Sequence, residues 1–129
     1  MKRLLFALGL LLGLLMGQPA PAQDEQEPPE EDEALRPKEY TFNPLQAEKE
    51  MKIGEFYFKR SSFRAASMRF EEATKWNPAL AEAWRRLGEA REKMHNRPGA
   101  AEAYKKFLEL APDGKQATDI KKKLNGLGK

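Results

Sequence analysis

The sequence predicts an all-α protein made of two helical hairpins in tandem, and three observations predict it. Pro44, Pro78 and Pro112 stand thirty-four residues apart, and a fixed period of that length marks a helical repeat. Apolar residues at helical spacing fill both intervals. Small residues recur in the same register, Gly54 with Gly88 and Ala66 with Ala100.

The first helix is expected to begin at Asn43-Pro44-Leu45-Gln46. An Asn cap, a Pro at the first helical position and a Gln three residues beyond the cap form a capping-box pattern. The helix runs to about Lys59, with Ile53, Gly54 and Tyr57 as its packing stripe. A glycine inside a helix costs about 1 kcal/mol relative to alanine. Gly54 is therefore expected at a close helix crossing, with Ala66 as the small residue opposite it.

Ser62 is the expected cap of a second helix that buries Phe63, Ala66, Phe70 and Ala73 and ends at Trp76. A third helix repeats the stripe of the first with Trp84, Leu87 and Gly88. Asn96 caps a fourth, with Pro98 tolerated in its first turn and Ala100, Tyr104, Phe107 and Leu110 turned inward. Trp76 and Leu110 each stand two residues before a proline and are expected to pack under the next helix. After the Asp113-Gly114 turn, Ala117, Ile120 and Leu124 share one face of a last helix, opposite Asp119 and Lys121 to Lys123. Its apolar residues are displaced by one position from a third repeat, so it is expected to cap the open end, as solenoids require for solubility.

Outside the repeats, Lys2 and Arg3, an apolar run from Leu4 to Met16 and Ala20-Pro21-Ala22 form the three parts of a secretory signal, with cleavage expected after Ala22. The alternative is an uncleaved anchor, although a bilayer span needs about 20 apolar residues. The organisation is then a leader at 1–22, an acidic Pro-rich linker at 23–42, two repeats at 47–80 and 81–114 within 43–114, and a capping helix and tail at 115–129. The linker lacks the apolar content to offset ordering entropy and reads as a disordered spacer or as an intramolecular mask for basic faces.

Two families are resembled. Trp84, Leu87, Gly88, Ala100, Tyr104 and Pro112, with Ile53, Gly54, Tyr57, Ala66, Phe70 and Pro78, resemble the tetratricopeptide repeat (TPR) over residues 47–114. The resemblance implies a right-handed solenoid fragment in which the first helix of each hairpin lines a concave groove. The groove stripe would hold Glu48, Met51, Glu55 and Phe58 on one helix and Glu82, Arg85, Glu89 and Glu92 on the other. It would take a peptide or helix with an apolar residue for Phe58 and basic residues for the glutamates. A second role for Phe58, covering the first helix pair, stays open. Glu55 to Arg60 with Phe63, Ala65-Ala66, Arg69-Phe70 and Pro78 also resembles a repeat of the BamD family of outer-membrane assembly lipoproteins. That resemblance implies a structural subunit of a cell-envelope complex.

Composition narrows the chemistry. The chain lacks cysteine, which excludes disulfides, thiolate metal sites and a cysteine nucleophile. From Asn43 onward 19 basic residues face 12 acidic ones, while residues 23–42 hold eight acids against two bases, so the charges of a mature chain nearly cancel. Lys121 to Lys123 and Arg85-Arg86 are not interleaved with stacking aromatics, and no nucleic-acid partner is expected. His95 is the single histidine and falls in a turn. The glutamates lie on open faces among Lys and Arg, where nothing raises a pKa, and no phosphate or calcium loop occurs. The expected protein is an exported, non-enzymatic binding module without cofactor or metal, periplasmic or secreted, and without a membrane span once cleaved. Two repeats are few for a solenoid core. Pairing with another TPR protein or with itself is one expectation, and a marginal monomer is the other.

Overall fold

A computed structural model describes residues 38–129, so the expected leader, and the expected linker up to residue 37, lie outside the described residues. The unit Lys38–Lys129 is all-α, with no strand among the described residues. Its helices are α1 (Pro44–Lys59), α2 (Phe63–Trp76), α3 (Ala81–Lys93), α4 (Arg97–Leu110) and α5 (Ala117–Leu127). Each packs on the next in chain order, giving two hairpins and a closing helix.

The period seen in the sequence is a period of the backbone. Ser61 and His95, thirty-four residues apart, both take left-handed φ, at 60° and 59°. Their N–H groups donate to the carbonyls of Phe58 and Glu92 at 3.0 and 2.9 Å, and Ser62 and Asn96 donate to Tyr57 and Arg91 at 3.0 and 2.9 Å. The turns behind Pro78 and Pro112 match as well: Leu80 donates to Asn77 at 3.1 Å and Gly114 to Ala111 at 3.2 Å. The caps differ more. Asn43 and Asn96 accept from the backbone N–H of Gln46 and Gly99 at 3.1 and 3.0 Å. Ser62 stands at the N-cap of α2 but makes no capping bond with its side chain.

Gly54 and Gly88 are buried, and what they meet corrects the expectation of glycine against alanine. A Cβ on Gly54 would lie 2.5 Å from the ring of Phe70, and one on Gly88 would lie 2.4 Å from the ring of Tyr104. Each glycine is a recess that receives an aromatic ring from the second helix of its own hairpin. Ala66 and Leu87 are buried in one cluster with Phe70, Ala100 and Phe107 in another with Tyr104, and Ala73 is fully buried as well. Tyr57 and Trp84 are partly buried against the core, and the Trp84 indole N–H donates to the Pro78 carbonyl at 2.9 Å.

Three expectations are corrected. Ile53 is 37% exposed, because no helix of the described residues packs on its side of α1, whereas α2 covers the equivalent Leu87 of α3. Leu110 is 43% exposed and does not pack under a following helix. Trp76 instead packs edge-on against Tyr40, with ring centres 4.9 Å apart. Order among the described residues thus begins before Asn43: the Tyr40 hydroxyl donates to Glu72 at 2.7 Å, and the Asn43 N–H to the Trp76 carbonyl at 2.9 Å.

In α5, Ala117 and Ile120 are buried and Leu127 packs against the Phe107 cluster. Lys123 turns back over the Tyr104 ring at 5.8 Å and toward Glu92 at 3.9 Å, so one lysine of the basic run closes over the second hairpin.

Candidate functional site: the face of α1 and α3

Of the expected groove residues, Glu55 and Phe58 of α1 and Glu82, Arg85 and Glu89 of α3 are linked, and a residue that the groove pattern leaves out joins them. Arg86 projects from α3 to α1, where its Nε and Nη2 donate to Glu55 at 2.5 and 2.6 Å. The same guanidinium donates to Glu89, which also accepts from Arg85, and Arg85 donates in turn to Glu82. The result is a chain, Glu55–Arg86–Glu89–Arg85–Glu82, that ties the two hairpins together. Both arginines are mostly covered, with 13% and 16% of the Arg86 and Arg85 side chains exposed.

Phe58 lies beneath this chain. Its ring is half-buried, 5.1 Å from Phe63 and 6.4 Å from Phe70 centre to centre, and Arg86 stacks over it at 4.1 Å. That is the geometry of a residue that covers the first helix pair, the second of the two roles left open by the sequence. Met51 is half-buried beside it, and Glu48 is exposed at the far end of the face. Glu92 accepts from the Tyr104 hydroxyl at the other end.

Electrostatics hold the charges in place. The hydrogen bond to Glu82 is the largest influence on Arg85 and raises its pKa, helped by Glu89. Burial opposes the charge on Arg86, but the bonds to Glu55 and Glu89 outweigh it and the pKa rises. Burial and the bond to Glu92 push Tyr104 far above its usual range. Each of these shifts fixes a group in the state it already holds at neutral pH. None poises an acid or base for proton transfer.

The depressions in the surface are shallow, and the one along α1 is lined by Met51, Lys52, Glu55, Phe56, Lys59 and Arg60. His95 is exposed in the turn after α3. Among the described residues no group of three His, Asp or Glu could hold a metal ion, and no helix is long and apolar enough to cross a membrane. Arg86 carried one usable signal in the sequence, a second arginine beside Arg85 on the groove helix. Its pairing with Glu55, thirty-one residues earlier, depends on how two hairpins stack.

No protein-family model matches this chain, and no curated protein is significantly similar to it. The functional reading rests on the side chains of α1 and α3 themselves.

Proposed function

We propose that this chain is an exported, non-catalytic protein-interaction module of the TPR type, which takes a cationic peptide or helix on the face of α1 and α3. One observation carries the reading. The glutamates of this face are Glu48, Glu55, Glu82, Glu89 and Glu92, and the cations paired with them across it are Arg85, Arg86 and Lys123, so five carboxylates meet three bases and Glu48 is left without an internal partner among the described residues. The bound segment would lay an apolar side chain on Met51 and direct its cations to Glu48 and to the half-exposed carboxylate of Glu82. Phe58 serves this face as a floor, since its ring is already in contact with Arg86. The ion-pair chain contributes preorganisation, because its side chains are ordered before the partner arrives.

The test is affinity capture from envelope extracts with the wild-type chain and with Glu48→Lys combined with Met51→Asp. Neither residue belongs to the ion-pair chain, so helicity by circular dichroism should be unchanged. Loss of the captured partner from the double variant supports the reading. Identical capture by both proteins removes it.

A further inference from the structure

We infer that the outer stripe of α1, on the side turned away from α2, is a second docking surface, and that its occupant is an amphipathic helix of another protein whose apolar residues are flanked by carboxylates. The inference comes from comparing α1 with α3 position by position. Lys49, Ile53 and Phe56 stand thirty-four residues before Ala83, Leu87 and Ala90. In α3 those three residues are 0%, 1% and 0% exposed, in the layer where α2 packs on α3. In α1 no helix lies against this side among the described residues, and Leu45, Ile53 and Phe56 are 72%, 37% and 50% exposed. The stripe therefore has the register of a helix-stacking face, and nothing in the described unit is stacked on it.

Charge selects the occupant. Residues 45, 49, 52, 53, 56 and 60 share the stripe at helical spacing, and they are Leu, Lys, Lys, Ile, Phe and Arg; the acid that lines its edge, Glu55, is already paired with Arg86. Lys49 and Lys52 make no ion pair among the described residues. Arg60 stacks over the Phe56 ring at 3.6 Å and leaves its polar edge outward. A second copy stacked head to tail would bring α5, with exposed Lys121 and Lys122, against these lysines, and like charges would oppose the contact. A second copy joined α1 to α1 would oppose lysine with lysine as well. An acidic helix satisfies both the apolar register and the unpaired cations.

The probe follows from the fold: a lactam-stapled peptide of Phe63–Trp76, the helix that covers the equivalent side of α3, with Arg64, Arg69 and Lys75 each replaced by Glu. Titrated against the whole chain by fluorescence anisotropy, the acidic peptide should bind saturably. Binding should fall at least tenfold with Lys49→Glu combined with Lys52→Glu, and again with Phe56→Asp. It should persist in Glu82→Lys, which alters only the α3 part of the face proposed above and so separates the two surfaces. The inference is overturned if the unaltered peptide binds as tightly as the acidic one, or if neither binds. It is also overturned if anionic phospholipid vesicles alone engage the stripe, or if sedimentation shows a dimer that Phe56→Asp dissolves.

Discussion

The two hairpins share a backbone but solve the same contact differently. Phe58 and Phe70 meet in the first hairpin; the residues thirty-four positions on are Glu92 and Tyr104, which meet in the second. In one hairpin the aromatic ring is closed by apolar contact and by the guanidinium of Arg86, and in the other by a hydroxyl donating to a carboxylate that Lys123 of α5 approaches. Both rings fill the recess left by a glycine. The repeat therefore conserves shape at the glycine and lets polarity vary at the rim, provided that both partners change together. A buried hydroxyl needs an acceptor, and a carboxylate placed there needs a donor.

The largest expected effects come from filling the recess. Gly54→Val and Gly88→Val should each destabilise the fold by about 3 kcal/mol, since the added atoms collide with a fully buried ring. Urea denaturation measures this, and an unchanged midpoint in either variant would break the equivalence of the two hairpins. Next in size is a transplant of polarity. Phe70→Tyr alone should cost about 2 kcal/mol by burying a hydroxyl that lacks its acceptor. Adding Phe58→Glu should recover part of that loss, because the pair then matches Glu92 and Tyr104. A double variant less stable than the sum of its single changes would show that the rims are not interchangeable.

Arg86 and Arg85 sharpen the comparison further. Arg86 joins α1 to α3, whereas Arg85 pairs only within α3. Arg86→Ala should cost about 2 kcal/mol, through lost charge-assisted bonds and lost packing on Phe58, and Arg85→Ala about half as much. Equal losses in urea melts would contradict the bridging role. The smallest effect concerns the segment ahead of α1. The hydrogen bond to Glu72 is the main reason that the Tyr40 pKa is raised to about 12 from 10.0, so the native state holds this proton longer than the unfolded chain. Stability from that bond is complete below pH 10 and fades as the pH rises toward 12. Glu72 moves the other way. Burial opposes its charge, yet Tyr40, Lys38 and Lys75 lower its pKa below 4.5, so its contribution is present above that value and is lost in acid. Melting temperatures of wild type and Tyr40→Phe should therefore differ at pH 8 and converge above pH 10.

Much of the fold was legible because its signals are local. Prolines, Asn caps and helical periodicity placed the five helices of the described residues, and the thirty-four-residue period placed the buried glycines. What the glycines meet was less legible, since Ala66 and Phe70 lie on the same face of α2, one turn apart, and only the stagger of two helices decides which faces Gly54. Ile53 misled because a β-branched apolar residue in a helix ordinarily marks the core, and on α1 it marks a side on which no helix of the described residues packs. For the candidate face, Glu48 to Phe58 and Glu82 to Glu92 were readable as stripes. The link from Glu55 to Arg86 was not, because pairing between helices depends on three-dimensional stacking. Tyr40 was missed for a similar reason: its acidic, Pro-rich neighbours mask one aromatic residue whose partners, Glu72 and Trp76, lie more than thirty positions away.

The central claim is that each hairpin is locked by an aromatic ring seated on glycine, and a double-mutant cycle on Gly88 and Tyr104 tests it most directly. Gly88→Ala and Tyr104→Leu should each lower stability in urea melts, and the pair should lose less than their sum by about 1 kcal/mol or more, because leucine vacates the space that the new methyl group needs. Strict additivity, with no coupling between the two positions, would contradict the account.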